Sequence, residues 1–225
     1  MIAPLTRTAT PEQVRAIWQN RYTAKDYDAS RDVSKEDLDA ILESAHLSAS
    51  SMGMEPWHFL VLRRDTPLFD AVVAHCWGYH ASPSHLVLLL GRDGQAFTTR
   101  SDYVAHIHVD VQERDPEKLD ARYDTLEHFL RADLGLTSDD AVNGWVDRQV
   151  YIALGSMLIS SAMLGVDSTA VEGLTVSAVE DVLVRSGVLD RDEFHLVCAL
   201  ELGYTSREGH RDKTRRPLDE VVTRL

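Results

Sequence analysis

Cys76 and Cys198 are the only two cysteines in this chain of 225 residues. They stand far apart with no second thiol near either. That leaves no disulfide framework and no paired-thiolate zinc site to read, and it points to a reducing, cytoplasmic setting. Positive charge is also in short supply, with 23 Lys and Arg against 36 Asp and Glu, a formal net charge of −13. A phosphodiester backbone needs a basic face, so the balance argues against nucleic acid as a partner. Long apolar runs are missing too. The most apolar stretch, 150–166, is near the lower length limit for crossing a bilayer and is interrupted by Gly155, Ser156, Ser160 and Ser161, so it reads as a buried helix. Met1 to Thr10 has no basic stretch leading into an apolar core, and no signal peptide is expected.

Glycine is absent where nucleotide folds require it. Gly91 and Gly94 have the wrong spacing for a dinucleotide fingerprint, and neither a P-loop nor a Gly-x-Ser-x-Gly elbow occurs. What remains is 44% hydrophobic and 26% charged, the composition of an ordinary globular protein. With no internal repeat, low-complexity tract or linker, residues 1–225 read as a single domain large enough to bury a substantial core.

Local patterns give the elements. Thr10-Pro11-Glu12-Gln13 is a capped helix start, followed by an apolar stripe of Val14, Ile17 and Trp18. Ser34 opens a second helix, with Leu38, Ile41, Leu42 and Ala45 at helical spacing. His58–Leu62 and His85–Leu90 lack that period and read as buried strands, with a helix over Leu68–Cys76 between them. Pro116 starts a helix that ends near Gly135. A long helix runs from about Ser138 to Leu164, stopped by Gly165. Val166–Val171 and Phe194–Glu201 are the remaining strands, and Ser177-Ala178-Val179-Glu180 reads as a capping box between them. Few strands separated by helices predict an α+β domain, a sheet flanked by helices. Small residues along the long helix would let a second helix approach, which supports a dimer.

Ten histidines raise the question of a metal. His106, His108 and Asp110 would share one side of a strand. Tyr103, Val104, Ile107 and Val111 fall at helical spacing instead, which puts the two histidines on different faces of a solvated helix, and no metal site is assigned. His85 precedes an apolar strand and reads as a satisfied core residue.

In so acidic a chain two basic clusters stand out, Arg21-Tyr22-Thr23-Ala24-Lys25 and Lys213-Thr214-Arg215-Arg216-Pro217. Each joins long cations to a hydroxyl, a combination suited to one small anion. Between them lie a serine-rich loop, Ser50 to Trp57, the helix segment Arg148-Gln149-Val150-Tyr151-Ile152-Ala153-Leu154-Gly155, and the dipeptide Glu172-Gly173 after a strand. These five features, in this order, resemble the flavin-dependent nitroreductase family over nearly the whole chain.

The resemblance implies a mixed sheet, a homodimer whose C-terminal arm extends onto the partner, FMN as cofactor and NADH or NADPH as reductant. It implies that Arg21, Thr23 and Arg215 hold the FMN phosphate with Tyr22 and Lys213 close by, and that Lys25 lies beside the flavin N1–O2 edge. A cation about 4 Å from that edge is worth roughly 4 kcal/mol at an effective dielectric near 20. A few kcal/mol raises a two-electron potential by some tens of millivolts. Backbone at Val171, Glu172 and Gly173 would face flavin N5 and O4, with Gly needed so that no Cβ blocks the ring. Gln149 matches a position near the ribityl chain, and Ser50, Ser51 and Gly53 match a loop on the other subunit's flavin. Trp57 would pack beneath that loop. Hydride transfer needs no protein acid, so no catalytic side chain is named.

The implied activity is ping-pong reduction of nitroaromatics, quinones or related electrophiles, with the nicotinamide stacked on the flavin. Alternatives are a same-fold oxidase or flavin-fragmenting enzyme, or a non-catalytic flavin-binding dimer. Two departures stand out. Gly53 and Glu55 occupy places where Asn and Gln are common, and the segment Trp77 to His85 is too short to supply the Asn and basic residue expected at the flavin pyrimidine.

Overall fold

The computed structural model describes residues 6–205 and 212–225. The expectation for Met1–Thr10 therefore lies partly outside the described residues, as does the stretch of tail between Thr205 and Asp212. Four strands form one sheet in the order β1-β2-β4-β3: β1 Trp57–Arg63, β2 His85–Arg92, β3 Asp167–Val171 and β4 Phe194–Gly203. All three strand pairings are antiparallel. The mixed character expected of the sheet comes down, among the described residues, to one parallel bridge between Thr23 and Ser168.

Strand alternation sorts the core onto two faces. Val87 and Leu89 of β2, with Cys198, Leu200 and Leu202 of β4, face helices α2 (Lys35–His46) and α6 (Asp139–Met163). Leu86, Leu88 and Leu90, with Leu196 and Ala199, face α3 (Pro67–Val73) and α7 (Val176–Arg185). A bulge between Leu89 and Leu90 opposite β4 lets Leu196 and Ala199 share a face despite their odd spacing. β2 is buried along almost its whole length, as its unbroken apolar run predicts. β1 is not: it is an edge strand on which only Leu62 is buried, so His58–Leu62 was less enclosed than its composition suggested.

Helix starts follow their caps. Thr10 and Gln13 form a reciprocal capping box at α1 (Pro11–Asn20), and the side chains of Ser34 and Ser138 cap α2 and α6. The capping box expected at Ser177 does not form. α7 begins two residues earlier, after Thr175, and Glu180 turns to the Leu196 N–H and to Arg191 instead. The Pro116 helix is a 3-10 turn leading into α5 (Leu119–His128) and a π turn to Asp133, with Gly135 at φ +68°.

The histidine segment is α4 (Asp102–His106) running into a π turn, Ile107–Val111. His106 is exposed and pairs with Asp110, while His108 is buried, its Nδ1 3.2 Å from Gln112 Oε1. The two do lie on different faces, but the helix is only half solvated. His85 is a core residue whose Nδ1 meets the Ser84 hydroxyl at 2.8 Å.

Candidate functional site

Residues 21–25 run extended beside β3. Thr23 bridges Ser168, the Ala24 N–H reaches the Ser168 carbonyl, and the Thr169 hydroxyl donates to the Ala24 carbonyl. Ala24 is buried there, while Arg21 is half-buried and Thr23 and Lys25 are exposed. The Tyr22 hydroxyl meets that of Thr205, and Tyr22 and Arg21 line one small cavity with Asp167 and Ser168.

The second basic cluster joins the first across the whole length of the sequence. The Lys213 ammonium donates to the Arg21 carbonyl oxygen. Burial first, then the charge of Arg215, holds the Arg21 guanidinium below its ordinary pKa; Lys213 is lowered by burial and by both arginines. None of the three pairs with a carboxylate among the described residues. Cations gathered so closely repel, and a small anion is what would relieve them. The donor set fits a phosphate.

β3 delivers the Glu172-Gly173 turn. Val171 buries its side chain in the core, leaving its backbone alone to face a ligand. Glu172 is exposed and accepts a hydrogen bond from the Tyr151 hydroxyl on α6. Gly173 also approaches another part of the chain closely. A methyl group there would stand 2.7 Å from Gly78 Cα and 3.1 Å from a ring carbon of Trp77. The close approach is to this chain's own backbone, fixed by the Gly78 N–H to Gly173 carbonyl bond of 2.6 Å and the Thr175 N–H to His75 carbonyl bond of 2.9 Å. Trp77 itself is 80% exposed beside the turn.

The serine loop is strained and strongly held. Met52, Gly53 and Glu55 have φ of 56°, 65° and 46°, a region that side-chain-bearing residues rarely adopt. Ser50 Oγ accepts the Glu55 N–H at 2.9 Å, Gln112 donates to the Met52 and Gly53 carbonyls at 3.1 and 3.0 Å, and the Tyr103 hydroxyl reaches the Met54 and Glu55 carbonyls at 2.6 and 2.8 Å. Gln149 is the buried anchor. Its Oε1 accepts the Ser51 N–H at 2.9 Å and its Nε2 donates to the Trp145 carbonyl at 2.9 Å. The side chain assigned to a ribityl contact also fixes the loop. Trp57 stacks on Phe59 at the loop's end, centroids 6.3 Å apart.

One cluster was not foreseen. Glu201 on β4 is 0% exposed, and both its oxygens meet His80: Oε1 accepts the His80 backbone N–H at 2.8 Å, and Oε2 lies 3.1 Å from Nδ1. Burial pushes the Glu201 carboxyl up to about 8 against the pull of that N–H and of Lys25. His80 is held below its ordinary value by burial and by the charge of Lys25. So His80, from the segment that seemed to offer no basic residue, stands within electrostatic reach of Lys25. The signal that could have found it is an acid inside an otherwise apolar strand.

The α+β sheet thus carries, alongside its edge strand β3, three clustered cations that have no carboxylate partner among the described residues. The chain belongs to the nitroreductase family, whose sequence profile matches residues 19–204. A provisionally named NAD(P)H nitroreductase of Staphylococcus aureus strain USA300 is 37% identical over 206 residues, covering 90% of this chain and 91% of the relative. Among solved structures, a nitroreductase-type protein of Bacillus subtilis, ydfN, superposes with a TM-score of 0.77 at 19% identity over 95% of this chain and 99% of that one. Another, from Exiguobacterium sibiricum and solved in complex with FMN, gives 0.72 at 17% identity over 98% and 100%. At those identities the structures speak for the fold alone.

Gln149→Ala should release the serine loop. Leaving the Ser51 N–H without its acceptor should lower stability by about 1–3 kcal/mol, and hydrogen exchange at the Ser51 amide should quicken. Unchanged protection at Ser51 would show that the loop is held by its other bonds alone.

Proposed function

We propose that the protein is an FMN-dependent NAD(P)H oxidoreductase that reduces nitroaromatics, quinones or related electrophiles by ping-pong hydride transfer, as one domain over residues 1–225. The observation that carries the reading is the meeting of Arg21, Lys213 and Arg215 from opposite ends of an acidic chain, each lacking a carboxylate partner among the described residues. Bound FMN would supply the hydride chemistry, accepting from a nicotinamide and donating to the electrophile. Arg21, Thr23, Lys213 and Arg215 would bind its phosphate, which Arg meets as a planar fork and Lys as a point charge. Lys25, two residues on from Thr23, would hold positive charge at the N1–O2 edge. The backbone of Val171, Glu172 and Gly173 would face N5 and O4. No side chain is assigned a proton-transfer role in the hydride step. The buried, free thiols of Cys76 and Cys198 accord with a cytoplasmic setting, and no helix among the described residues is long and apolar enough to cross a membrane.

The working unit in this reading is a homodimer. Val14 and Trp18 of α1 and Ile152 and Met163 of α6 are exposed, and a cavity lined by Trp18, Ile152, Gly155, Ser156 and Ile159 runs along α6. No atom lies within 4 Å of a Cβ built on Gly155, which leaves room for a second helix. Leu218, Val221 and Val222 of the arm are exposed as well. In the dimer Ser50, Ser51 and Gly53 would address the flavin of the other subunit. Sedimentation should find a dimer at micromolar concentration; a stable, flavin-loaded monomer would refute it.

The purified protein should show a flavin absorption band that NADH or NADPH bleaches under nitrogen. Binding without bleaching would leave a flavin-binding protein or a different oxidase. Arg215→Ala should weaken FMN binding by roughly 2–5 kcal/mol, while Lys25→Ala should leave binding nearly intact and lower the midpoint potential by some tens of millivolts. Affinity and potential both unmoved in the two variants would place the cofactor elsewhere.

A further inference from the structure

The segment Trp77–His80 spans two places that the proposed function assigns to one ring. At its start, Trp77 and Gly78 pack on Gly173, the turn assigned to N5 and O4. At its end, His80 stands within reach of the charge of Lys25, the residue assigned to N1 and O2. The run between those two places is Trp-Gly-Tyr-His, so His80 is its only basic side chain.

Glu201 holds that histidine in place. The strand from Leu196 to Leu202 is otherwise apolar, and a carboxyl buried in it is costly to keep unless its bonds serve some end. Both oxygens are spent on His80, one on its backbone N–H and one on its ring. The groups around them are few. Tyr27, Cys76 and Tyr79 all feel the Glu201 charge and are pushed up, chiefly by burial; Asp167 acts on Tyr27, and Arg64 and Asp70 act on Tyr79. Lys25 is the cation that acts on both His80 and Glu201; burial first, and then the charge of Lys25, disfavours a proton on the imidazole.

We propose that His80 takes up one proton when the flavin is reduced, and that Glu201 is the positioning residue that fixes His80 at the pyrimidine edge for this purpose. The inference rests on the flavin placement of the proposed function. The balance is simple. The nicotinamide gives up a hydride and is oxidised, the ring gains two electrons and one proton, and one negative charge is left over beside Lys25. That charge would offset the cation that, together with burial, keeps His80 neutral, so a second proton, from water, would settle on the imidazole. It leaves when the ring is reoxidised by the electrophile.

The test is the pH dependence of the midpoint potential of the FMN-loaded protein, measured by spectroelectrochemistry from about pH 5.5 to about pH 8.5, a range that brackets an ordinary histidine. Uptake of one proton changes the two-electron equilibrium tenfold per pH unit, or about 30 mV; uptake of two changes it a hundredfold, or about 60 mV. Wild type should follow the steeper line over part of the range, and His80→Gln the shallower line throughout. Glu201→Leu should flatten the slope as His80→Gln does, whereas Glu201→Gln, which keeps an acceptor for the His80 N–H, should recover most of the steep portion. Equal slopes in wild type and His80→Gln overturn the proposal. So does a break that survives in His80→Gln while the reduced-flavin spectrum changes from its anionic to its neutral form, because the proton then goes to the ring. The Lys25→Ala variant separates the two levels. If its potential falls while His80→Gln matches wild type, only this inference fails; if FMN does not bind or Lys25→Ala changes nothing, the flavin placement fails and takes the inference with it.

Discussion

The pairing of β2 with β4 is the constraint from which the site is assembled. Both strands are buried on both faces, so their register, His85 opposite Leu202 through Arg92 opposite Phe194, is fixed by two hydrophobic clusters at once. A slip of one residue would move Leu200 and Leu202 out of one core and drive Glu201 into it. With that register set, β3 adds at the free side of β4, and β3 carries two parts of the site: the bridge between Thr23 and Ser168 and the turn at Glu172-Gly173.

The electrostatics invert the character of the chain. An excess of thirteen negative charges surrounds a small region where three cations meet, and the fold brings them together from sequence positions nearly two hundred apart. Such a grouping adds nothing to the stability of the protein by itself, since each cation disfavours the others. The energy needed to collect them is supplied by packing elsewhere, which is the usual relation between a scaffold and a binding site. The serine loop follows the same rule. Its unfavourable backbone is tolerated because Gln149, Gln112, Tyr103 and Ser50 supply bonds from three separate elements. A loop so constrained presents its backbone in one arrangement.

Glu201 is the counterexample within the core. A leucine would fill that space without a desolvation penalty, and the carboxyl is kept there by His80, whose backbone N–H donates to one oxygen and whose ring nitrogen meets the other. The short connection from Trp77 to His85 makes this possible. Running from its contact with Gly173 to the Glu201 carboxyl, it brings a histidine within the electrostatic reach of Lys25.

The sequence by itself determined the α+β class, the capped starts of α1, α2 and α6, the stop at Gly165, and the two basic clusters with their family order, because each is written in a short local pattern. Short apolar runs without a helical period also marked the four strands found among the described residues. They could not say that β1 lies at an edge, since burial of a strand depends on what packs against it and not on its own composition. Only the tertiary structure decided that Lys213 meets Arg21, that Gly173 packs on Gly78, that Gln149 serves the loop, and that Ser177 is not a cap. It alone joined His80 to Glu201 and Lys25. These are contacts between residues far apart in the chain, and no local pattern encodes which partner a side chain will find once the sheet has closed.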